Sequence, residues 1–462
     1  MVVISRPYEP FIPEFIKVHL GEPDEPAEDV VVSFTDYIKN VASSEIYPTW
    51  PESAIRANIY AQITFALNRI YTEWYRSRGY DFDITNSTRF DQAFVKDREI
   101  FENISKIVDE IFNSYVVRWG QIQPYFTAYC DGRVTQCEGL LQWGTVPLAQ
   151  QGYGPYDILQ YYYGEDIDIL RDVPVRANFE SYPLYPLRLG SFGRDVSIIQ
   201  NELNRIRKNY PSIPLISNDE EGVFGVETEA AVRRFQEIFN LTPDGIVGNA
   251  TWYKIKQVFN AVKGLGELAS EGIAPGDFDS PFAVSWQEGD YGFWVRLLQY
   301  YIRALACLYP DEIPKIELTG YFGPETTQAV LAIQTKFDLI LDGVVGIQTY
   351  AVLDREYRNN LNRLPADCFG VEPHYPGYLL SRGMGDKNVI LMQEYLERIT
   401  QADPSLPRVT VTGIFDDAML EAVRALQERH FNEVIDVIDP NTWLLIVRLY
   451  QELGTPPPAE AT

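Results

Sequence analysis

Three stretches of the chain carry the same spacing of apolar residues. Starting at Val196, Val295 and Val389, apolar residues recur at offsets of 0, 3, 7 and 10 positions. This spacing puts them on one face of an α-helix, so each stretch is predicted to be an amphipathic helix. Four positions after the first apolar residue, every copy has a Gln: Gln200, Gln299 and Gln393. The pattern indicates an internal repeat.

A Gly-x-Phe turn and a second helical stripe follow each of these helices. The turns begin at Gly222, Gly320 and Gly413. Fourteen residues after each Gly stands another Gln, and a Thr followed by an aromatic residue marks the start of a third short helix. We therefore predict three small all-α domains of three helices each, at residues 186–262, 285–358 and 378–453. The third copy is degenerate, because it lacks the two glycines that precede the last helix in the others.

Residues 1–176 do not repeat and mix two kinds of pattern. Segments 14–21 and 29–34 are rich in β-branched and aromatic residues, which is typical of strands. From Ser53 to Tyr71 apolar residues recur with helical spacing, and Pro51 just before them suits a first helical turn. We predict a multidomain protein with an α+β N-terminal domain at 1–176, followed by the three small all-α domains.

The repeated unit resembles the family of peptidoglycan-binding domains. In the first copy, the resemblance is carried by Ile199-Gln200, by the turn at 222–225, by Phe235-Gln236 and by the Asp-Gly-x-Val-Gly loop at 244–248 that leads to Thr251-Trp252. The second copy keeps the same motifs, and the third keeps fewer of them. The resemblance implies that these domains bind cell-wall glycopeptide, whereas most of the motif residues are themselves core or turn residues.

Glu45 is the carboxylate that attracts most attention in the N-terminal region. Its sequence neighbours Val41, Ile46, Tyr47 and Trp50 are apolar or aromatic, and apolar surroundings raise the pKa of a carboxyl group. A Glu that stays partly protonated near neutral pH is suited to act as the general acid in the cleavage of a glycosidic bond. The alternative is a Glu at a helix end without a catalytic role.

The N-terminal region resembles the stage II sporulation protein D family of peptidoglycan lytic transglycosylases over about residues 12–170. The matching motifs are Tyr37, the run Val41-Ala-Ser-Ser-Glu45, a Pro/aromatic stretch at 48–51 and the start of the helix at 52–58. Two further blocks, at 80–94 and 124–145, lie where the family has its strand-turn motif and its Gly-rich motif. The sequence departs from the family at Gln62-Ile63-Thr64, where the family has Ala-Ala-Arg in its helix motif, so that an Arg is missing.

The resemblance implies roles for individual residues. Glu45 takes the position of the catalytic acid/base, and Arg56 and Gln92 match substrate-binding positions. Tyr37 and Trp50 are candidates for sugar stacking, with core packing as the alternative for each aromatic residue. A lytic transglycosylase needs only one carboxyl group, but Asp36, Asp91 and Asp131 are also within the matching motifs.

Charge narrows the range of partners. The chain of 462 residues has 39 Lys and Arg against 65 Asp and Glu, a formal net charge of −26. Nucleic acid and anionic lipid would both repel it, so we expect neither as a partner. No run of about 18 apolar residues is present, so membrane insertion is not expected. Since no signal peptide is evident, we expect synthesis in the cytoplasm and action at the cell wall or spore surface, or within a released particle.

Four cysteines and three histidines leave little scope for metal chemistry. Cys130 and Cys137 enclose a polar turn, and we favour two free thiols there over a zinc site or a disulfide. The histidines, His19, His374 and His430, lie elsewhere in the sequence. We expect no cofactor, and the two cysteines are only weak candidates for metal ligands.

Two functions remain open at this stage. The first is an enzyme that cleaves peptidoglycan glycan strands through Glu45 and attaches to the wall through its repeats, which would act together on a polymer. The second is a non-catalytic structural protein of a spore layer or phage-tail-like particle. In that case the repeats would contact the wall or other proteins, and the 30 Tyr residues would suit protein interfaces.

Overall fold

A computed structural model describes residues 10–177, 181–217, 221–274, 277–278, 285–365, 367–431 and 434–454. The chain divides into two units. The first comprises Met1–Tyr182, Asn201–Tyr210 and Asn249–Asp279, and the second comprises Pro183–Gln200, Pro211–Gly248 and Ser280–Thr462. The N-terminal region therefore lies in the first unit and the second and third repeats lie in the second, whereas residues of the first repeat are assigned to both.

Short strands form four small sheets in the N-terminal region. Strand β2 (Phe15–His19) pairs antiparallel with β3 (Asp29–Ser33) and parallel with β4 (Ile84–Thr85). The other sheets have two strands each: β1 (Ile12–Pro13) with β9 (Val175–Arg176), β5 (Tyr115–Arg118) with β8 (Ile167–Leu170), and β6 (Tyr129–Cys130) with β7 (Leu140–Leu141). The predictions of strands at 14–21 and 29–34 are confirmed by β2 and β3.

Five helices accompany these strands: α1 (Phe34–Glu45), α2 (Glu52–Tyr71), α3 (Glu102–Ile111), α4 (Thr145–Gln150) and α5 (Pro155–Tyr163). The hydroxyl of Ser33 caps α1 by accepting a hydrogen bond from the backbone N–H of Asp36, a common device at helix N-termini. Helix α2 follows Pro51 and is buried along most of its length. A helix buried on nearly all sides is a central element of a core, and α2 confirms the helix predicted at 53–71.

The repeats are helical, as their apolar stripes predict. The helices are α6 (Arg194–Arg207), α7 (Val226–Ile238), α8 (Asn249–Val262), α9 (Phe293–Leu308), α10 (Pro324–Lys336), α11 (Ile347–Asn360), α12 (Lys387–Ala402), α13 (Asp417–Phe431) and α14 (Pro440–Glu452). The third repeat also contains an antiparallel pair of short strands, β10 (Leu380–Ser381) and β11 (Val437–Ile438). The predicted fold class, an α+β region followed by all-α domains, is confirmed. None of the helices in the described ranges is long and apolar enough to cross a membrane.

A buried Gln side chain fixes the Gly-x-Phe turn in every repeat. Its amide oxygen accepts a hydrogen bond from the backbone N–H of the turn's first Gly, at 2.8 Å in all three copies: Gly222 to Gln200, Gly320 to Gln299, and Gly413 to Gln393. Its amide nitrogen donates to the backbone carbonyl of the next residue, for example at 2.9 Å to Tyr321. The glycines adopt positive φ angles, 75° at Gly320 for example, which glycine tolerates best.

A second buried Gln holds the loop before the last helix of each repeat in the same way. Gln334 accepts from the backbone N–H of Gly343 at 3.0 Å and donates to the carbonyl of Val344 at 3.0 Å. In the third copy Gln427 makes the equivalent contacts to Ile435 and Val437, at 3.0 and 2.9 Å. These glutamines are therefore structural residues, as expected for most of the repeat motif.

The cysteines are paired, so the prediction of free thiols at Cys130 and Cys137 is wrong. These two residues form one disulfide, and Cys307 and Cys368 form another. The first bond closes the loop between β6 and β7, and its sulfurs cannot act as thiolate ligands while they are bonded to each other. Sequence spacing alone did not reveal that the chain turns back far enough to bring the two cysteines together.

Candidate active site around Glu45

Glu45 is the last residue of α1, and three separate parts of the chain surround its carboxylate. One oxygen, Oε1, accepts a hydrogen bond from the backbone N–H of Ala93 at 2.8 Å. The other, Oε2, accepts from the side-chain amides of Gln62 on α2, at 2.8 Å, and of Gln142 after β7, at 3.1 Å. The hydroxyl of Tyr129 is also hydrogen-bonded to this carboxylate. The site is thus assembled from α1, α2 and two loop regions.

Two opposing effects set the pKa of Glu45. Burial raises it, because the charged form loses contact with water, and this effect is the largest. The N–H of Ala93 and the side chains of Tyr129, Gln62 and Gln142 lower it, since they donate hydrogen bonds to the ionised form. The net result is a pKa above the usual value of a Glu. A carboxyl group with a raised pKa is suited to give up and take back a proton near neutral pH.

Further hydrogen bonds connect Tyr37 and Gln92 to groups that contact Glu45. The hydroxyl of Tyr37 donates to the amide oxygen of Gln92 at 3.0 Å. The amide nitrogen of Gln92 donates to the carbonyl of Gln62 at 3.0 Å and to the hydroxyl of Tyr129 at 2.9 Å. Tyr37 and Gln92 have no exposed surface, and these hydrogen bonds link them to two of the groups that contact Glu45. Direct contact of either residue with a substrate stays a prediction.

Three aromatic side chains that lie close to Glu45 or Gln142 in the sequence pack together, and we call Tyr47, Trp50 and Trp143 the aromatic platform. The ring centroids of Trp50 and Trp143 are 4.8 Å apart, and that of Tyr47 is 5.3 Å from Trp143. Trp50 is 9% exposed and Tyr47 is 54% exposed, so Tyr47 offers the larger free surface. Trp143 directly follows Gln142, so the platform and a donor to Glu45 share one short segment.

Arg56 lies on the first turns of α2 and has acidic partners. Its Nε donates to Glu52 at 2.7 Å, and a terminal nitrogen pairs with Glu110. These ion pairs already occupy the guanidinium that was predicted to hold a sugar or carboxylate. Substrate binding by Arg56 stays a prediction, and a substrate would have to compete with two carboxylates.

The three additional carboxylates each have partners of their own. Asp36 accepts from the hydroxyl of Ser33 at 2.7 Å, and Asp91 is paired with Arg69 at 2.8 Å. Asp131 accepts hydrogen bonds from the backbone N–H groups of residues 133–135. All three thus have partners in the structure, as Glu45 has, and a catalytic role for any of these carboxylates stays a prediction.

The sequence left several members of the site unidentified. Gln62 drew attention only as part of Gln62-Ile63-Thr64, which stands where the family has Ala-Ala-Arg, yet its amide contacts Glu45 directly. Gln142 and Tyr129 belong to the third matching block, and nothing in their spacing pointed to Glu45. The backbone N–H of Ala93 carries no signal at all in the sequence, because any residue except proline supplies such a group.

Two of the three predicted repeats match a known family. The family described as putative peptidoglycan binding domain matches residues 192–255 and 295–353, within the first two predicted repeats. The amidase CwlL of Bacillus licheniformis, an N-acetylmuramoyl-L-alanine amidase, is 30% identical over 176 residues, which are 36% of this chain and 44% of that protein. The amidase CwlM of Mycobacterium tuberculosis, of the same description, is 28% identical over 127 residues, 28% of this chain and 26% of that protein.

A third relative is an uncharacterised protein in the bpoA1 3' region of Kitasatospora aureofaciens, 43% identical over 63 residues. That match covers 14% of this chain and 48% of the relative, so the chain spans less than half the length of each of these three relatives. No solved structure matches the chain. The resemblance of the N-terminal region to the stage II sporulation protein D family stays a prediction.

Proposed function

We propose that this protein binds and remodels the peptidoglycan of a bacterial cell wall. The match of two repeats to a putative peptidoglycan binding domain supports the binding part. Relatives described as N-acetylmuramoyl-L-alanine amidases support a role in wall remodelling. The proposed partner is the glycan strand, and the proposed place of action is the cell wall, a spore surface or a released particle.

Within this role, we propose that Glu45 cleaves glycan strands as a lytic transglycosylase. The observation that carries this proposal is a carboxyl group with a raised pKa, held by Ala93, Gln62 and Gln142. The aromatic platform is formed by the segments that directly follow Glu45 and Gln142. Aromatic rings can pack against the apolar faces of sugar rings. Polar groups around the aromatic rings can then hydrogen-bond to the sugar.

One carboxyl group suffices for both steps of this reaction. Protonated Glu45 gives its proton to the glycosidic oxygen, and the bond from that oxygen to the muramic acid anomeric carbon breaks. The ionised Glu45 then takes the proton of a hydroxyl group on the same muramic acid, and that oxygen bonds to the anomeric carbon. The products are a free sugar end and an anhydro-muramic end; no water is consumed, and Glu45 ends as it began.

The test compares purified wild-type protein with Glu45→Gln on isolated cell wall, with products analysed by mass spectrometry. We expect anhydro-muramoyl products from the wild type and a loss of at least about a hundredfold in the variant, the usual contribution of general acid–base catalysis. Glu138→Gln is the matched control: it makes the same change at an exposed position of the loop between β6 and β7, and should cleave like the wild type. Equal rates for all three proteins would refute the role of Glu45.

The alternative is a non-catalytic protein of a spore layer or phage-tail-like particle. The observation in its favour is that both carboxylate oxygens of Glu45 already accept hydrogen bonds from protein groups, as they would in a purely structural site. Such a protein would use its repeats to bind the wall or other layer proteins. A wild type that pellets with the wall but releases no anhydro-muramoyl product would establish this alternative.

A further inference from the structure

Arg133 stands out among the cations near the site. It lies in the disulfide-closed loop between β6 and β7, and its guanidinium carbon lies 3.3 Å from the ring centroid of Trp143 in the aromatic platform. At this distance a guanidinium stacks on the ring and gains from cation–π attraction. The stacking fixes the position of a side chain that would otherwise move freely in an exposed loop.

The acidic residue closest to Arg133 in sequence is engaged elsewhere. The carboxylate of Asp131 accepts from the backbone N–H groups of Arg133, Val134 and Thr135, with the shortest distance 2.7 Å to Thr135. These hydrogen bonds lower the pKa of Asp131. Asp131 therefore shapes the loop with its carboxylate and leaves the guanidinium of Arg133 without that partner.

Within the described part of the chain, no carboxylate forms an ion pair with Arg133, which is exposed. Arg56, by contrast, pairs with Glu52 and Glu110. A guanidinium presents a fork of N–H donors that matches a carboxylate. Arg133 thus offers a free, positioned anion-binding group at the edge of the platform.

We propose that Arg133 selects glycan that bears carboxylate groups. The guanidinium of Arg133 would bind the carboxylate while a sugar ring lies on the exposed face of Tyr47. This arrangement would place the glycan strand next to Glu45. The inference rests on the proposed glycan substrate and adds the residue that distinguishes carboxylated from neutral sugars. The carboxylate has two possible sources in the wall, the lactyl group of muramic acid and the peptide stem attached to it.

The test uses the full chain carrying Glu45→Gln, so that the sugar stays intact, with and without Arg133→Gln. Three probes are titrated: a peptide-free muramic acid tetrasaccharide, the same compound with its carboxylates reduced to alcohols, and a tetrasaccharide that carries peptide stems. Binding is followed as protection of residues 129–143 from hydrogen exchange. This readout reports the proposed site itself and is independent of binding by the repeats.

In the protein that carries Glu45→Gln alone, we expect the peptide-free tetrasaccharide to bind about fivefold more tightly than its reduced form. This is the effect of one exposed charge pair. Arg133→Gln should abolish this preference and leave binding of the reduced form unchanged. Arg89→Gln removes the same charge at an exposed ion pair with Glu22, and it should keep the preference. The peptide-free probe carries only lactyl carboxylates, so weaker binding of the peptide-bearing probe shows that Arg133 takes the lactyl carboxylate alone. Equal or tighter binding shows that a carboxylate of the peptide stem can take its place.

Equal binding of carboxylated and reduced probes would overturn the inference. A loss of affinity for both probes on Arg133→Gln would overturn it as well, because it would show that the side chain serves only to pack on Trp143. The proposed cleavage is judged separately. If the wild type releases no anhydro-muramoyl product while the preference depends on Arg133, the cleavage proposal fails and the selectivity of this site stands.

Discussion

At the scale of single residues, Glu45 shows how a carboxyl group is tuned by opposing neighbours. Burial raises its pKa, and four hydrogen-bond donors lower it again. Two of these donors, Gln62 and Gln142, are neutral amides, so they moderate the pKa without the strong lowering that a cation would cause. A cation in place of either amide would favour the ionised form more strongly.

Removal of Gln142 should shift the pH dependence of cleavage. In the first step Glu45 must be protonated, so activity falls as the pH rises through its pKa. Gln142→Ala removes a donor to the ionised form, so the pKa of Glu45 should rise further and the falling limb should move to higher pH. Initial rates of anhydro-muramoyl release, measured from pH 4 to about pH 8, check this.

The control for that measurement is Gln136→Ala. The amide of Gln136 donates to the carbonyl of Gly132 at 2.8 Å, in the same loop but without contact to Glu45. The Gln136→Ala substitution should leave the falling limb of the pH–rate profile at the same pH. A limb that stays in place or moves to lower pH in Gln142→Ala would contradict the role given to this amide.

At the scale of structural elements, the repeats are organised around side-chain amides. Each of the two buried glutamines in a repeat accepts from at least one backbone N–H and donates to a backbone carbonyl of a turn; Gln334 and Gln393 each accept from two N–H groups. The side-chain amide thus supplies hydrogen-bond partners for backbone groups of the turn that would otherwise be buried without partners.

Loss of one such amide should weaken its repeat. Gln299→Ala leaves the N–H of Gly320 without its partner and removes one of two donors to the carbonyl of Tyr321, the other being the hydroxyl of Thr319. This should lower the free energy of unfolding of this repeat by about 1–3 kcal/mol. Denaturant unfolding measures the loss, and hydrogen exchange at the amide of Gly320 should become faster. Gln287→Ala, at an exposed position of the same repeat, should change neither quantity; an equal effect of both substitutions would contradict the model of a turn held by an amide.

The elements themselves were largely predictable, and the site was not. The apolar stripes at Val196, Val295 and Val389 indicate helices because the 3.6-residue period is a property of the local sequence. The group around Glu45 depends instead on contacts across 17 to 97 positions of the chain, for example to Gln62 and Gln142. No local pattern encodes such contacts, so the motif pointed to Glu45 but not to the groups that set its pKa.

At the scale of the whole molecule, two disulfides constrain a strongly acidic chain. Disulfides persist in oxidising surroundings and are reduced in most cytosols. We therefore expect both bonds to be closed where the proposed substrate is found, outside the cytosol.

The two disulfides should differ in their contribution to stability. Cys307 and Cys368 are separated by 61 positions, and Cys130 and Cys137 by 7. In the chain-entropy description, a longer closed loop restricts the unfolded chain more, so paired Cys→Ser substitution should cost about 4 kcal/mol for the first bond and about 2.5 kcal/mol for the second. Denaturant unfolding of the two double variants, each with and without a reducing agent, measures the difference. A larger loss on removal of the Cys130–Cys137 bond would contradict this ranking.

The amide-held turns also bear on how the three copies diverged. Gln200, Gln299 and Gln393 contact only backbone atoms at the middle residue of each turn, so the identity of that residue is left to vary: it is Val223, Tyr321 and Ile414 in the three copies. Tyr321 and Ile414 are about half exposed, at 52% and 53%. After duplication, each copy was thus able to change the chemistry of its surface by single substitutions while its scaffold stayed the same. These positions are natural starting points for grafting new binding specificity onto the repeat.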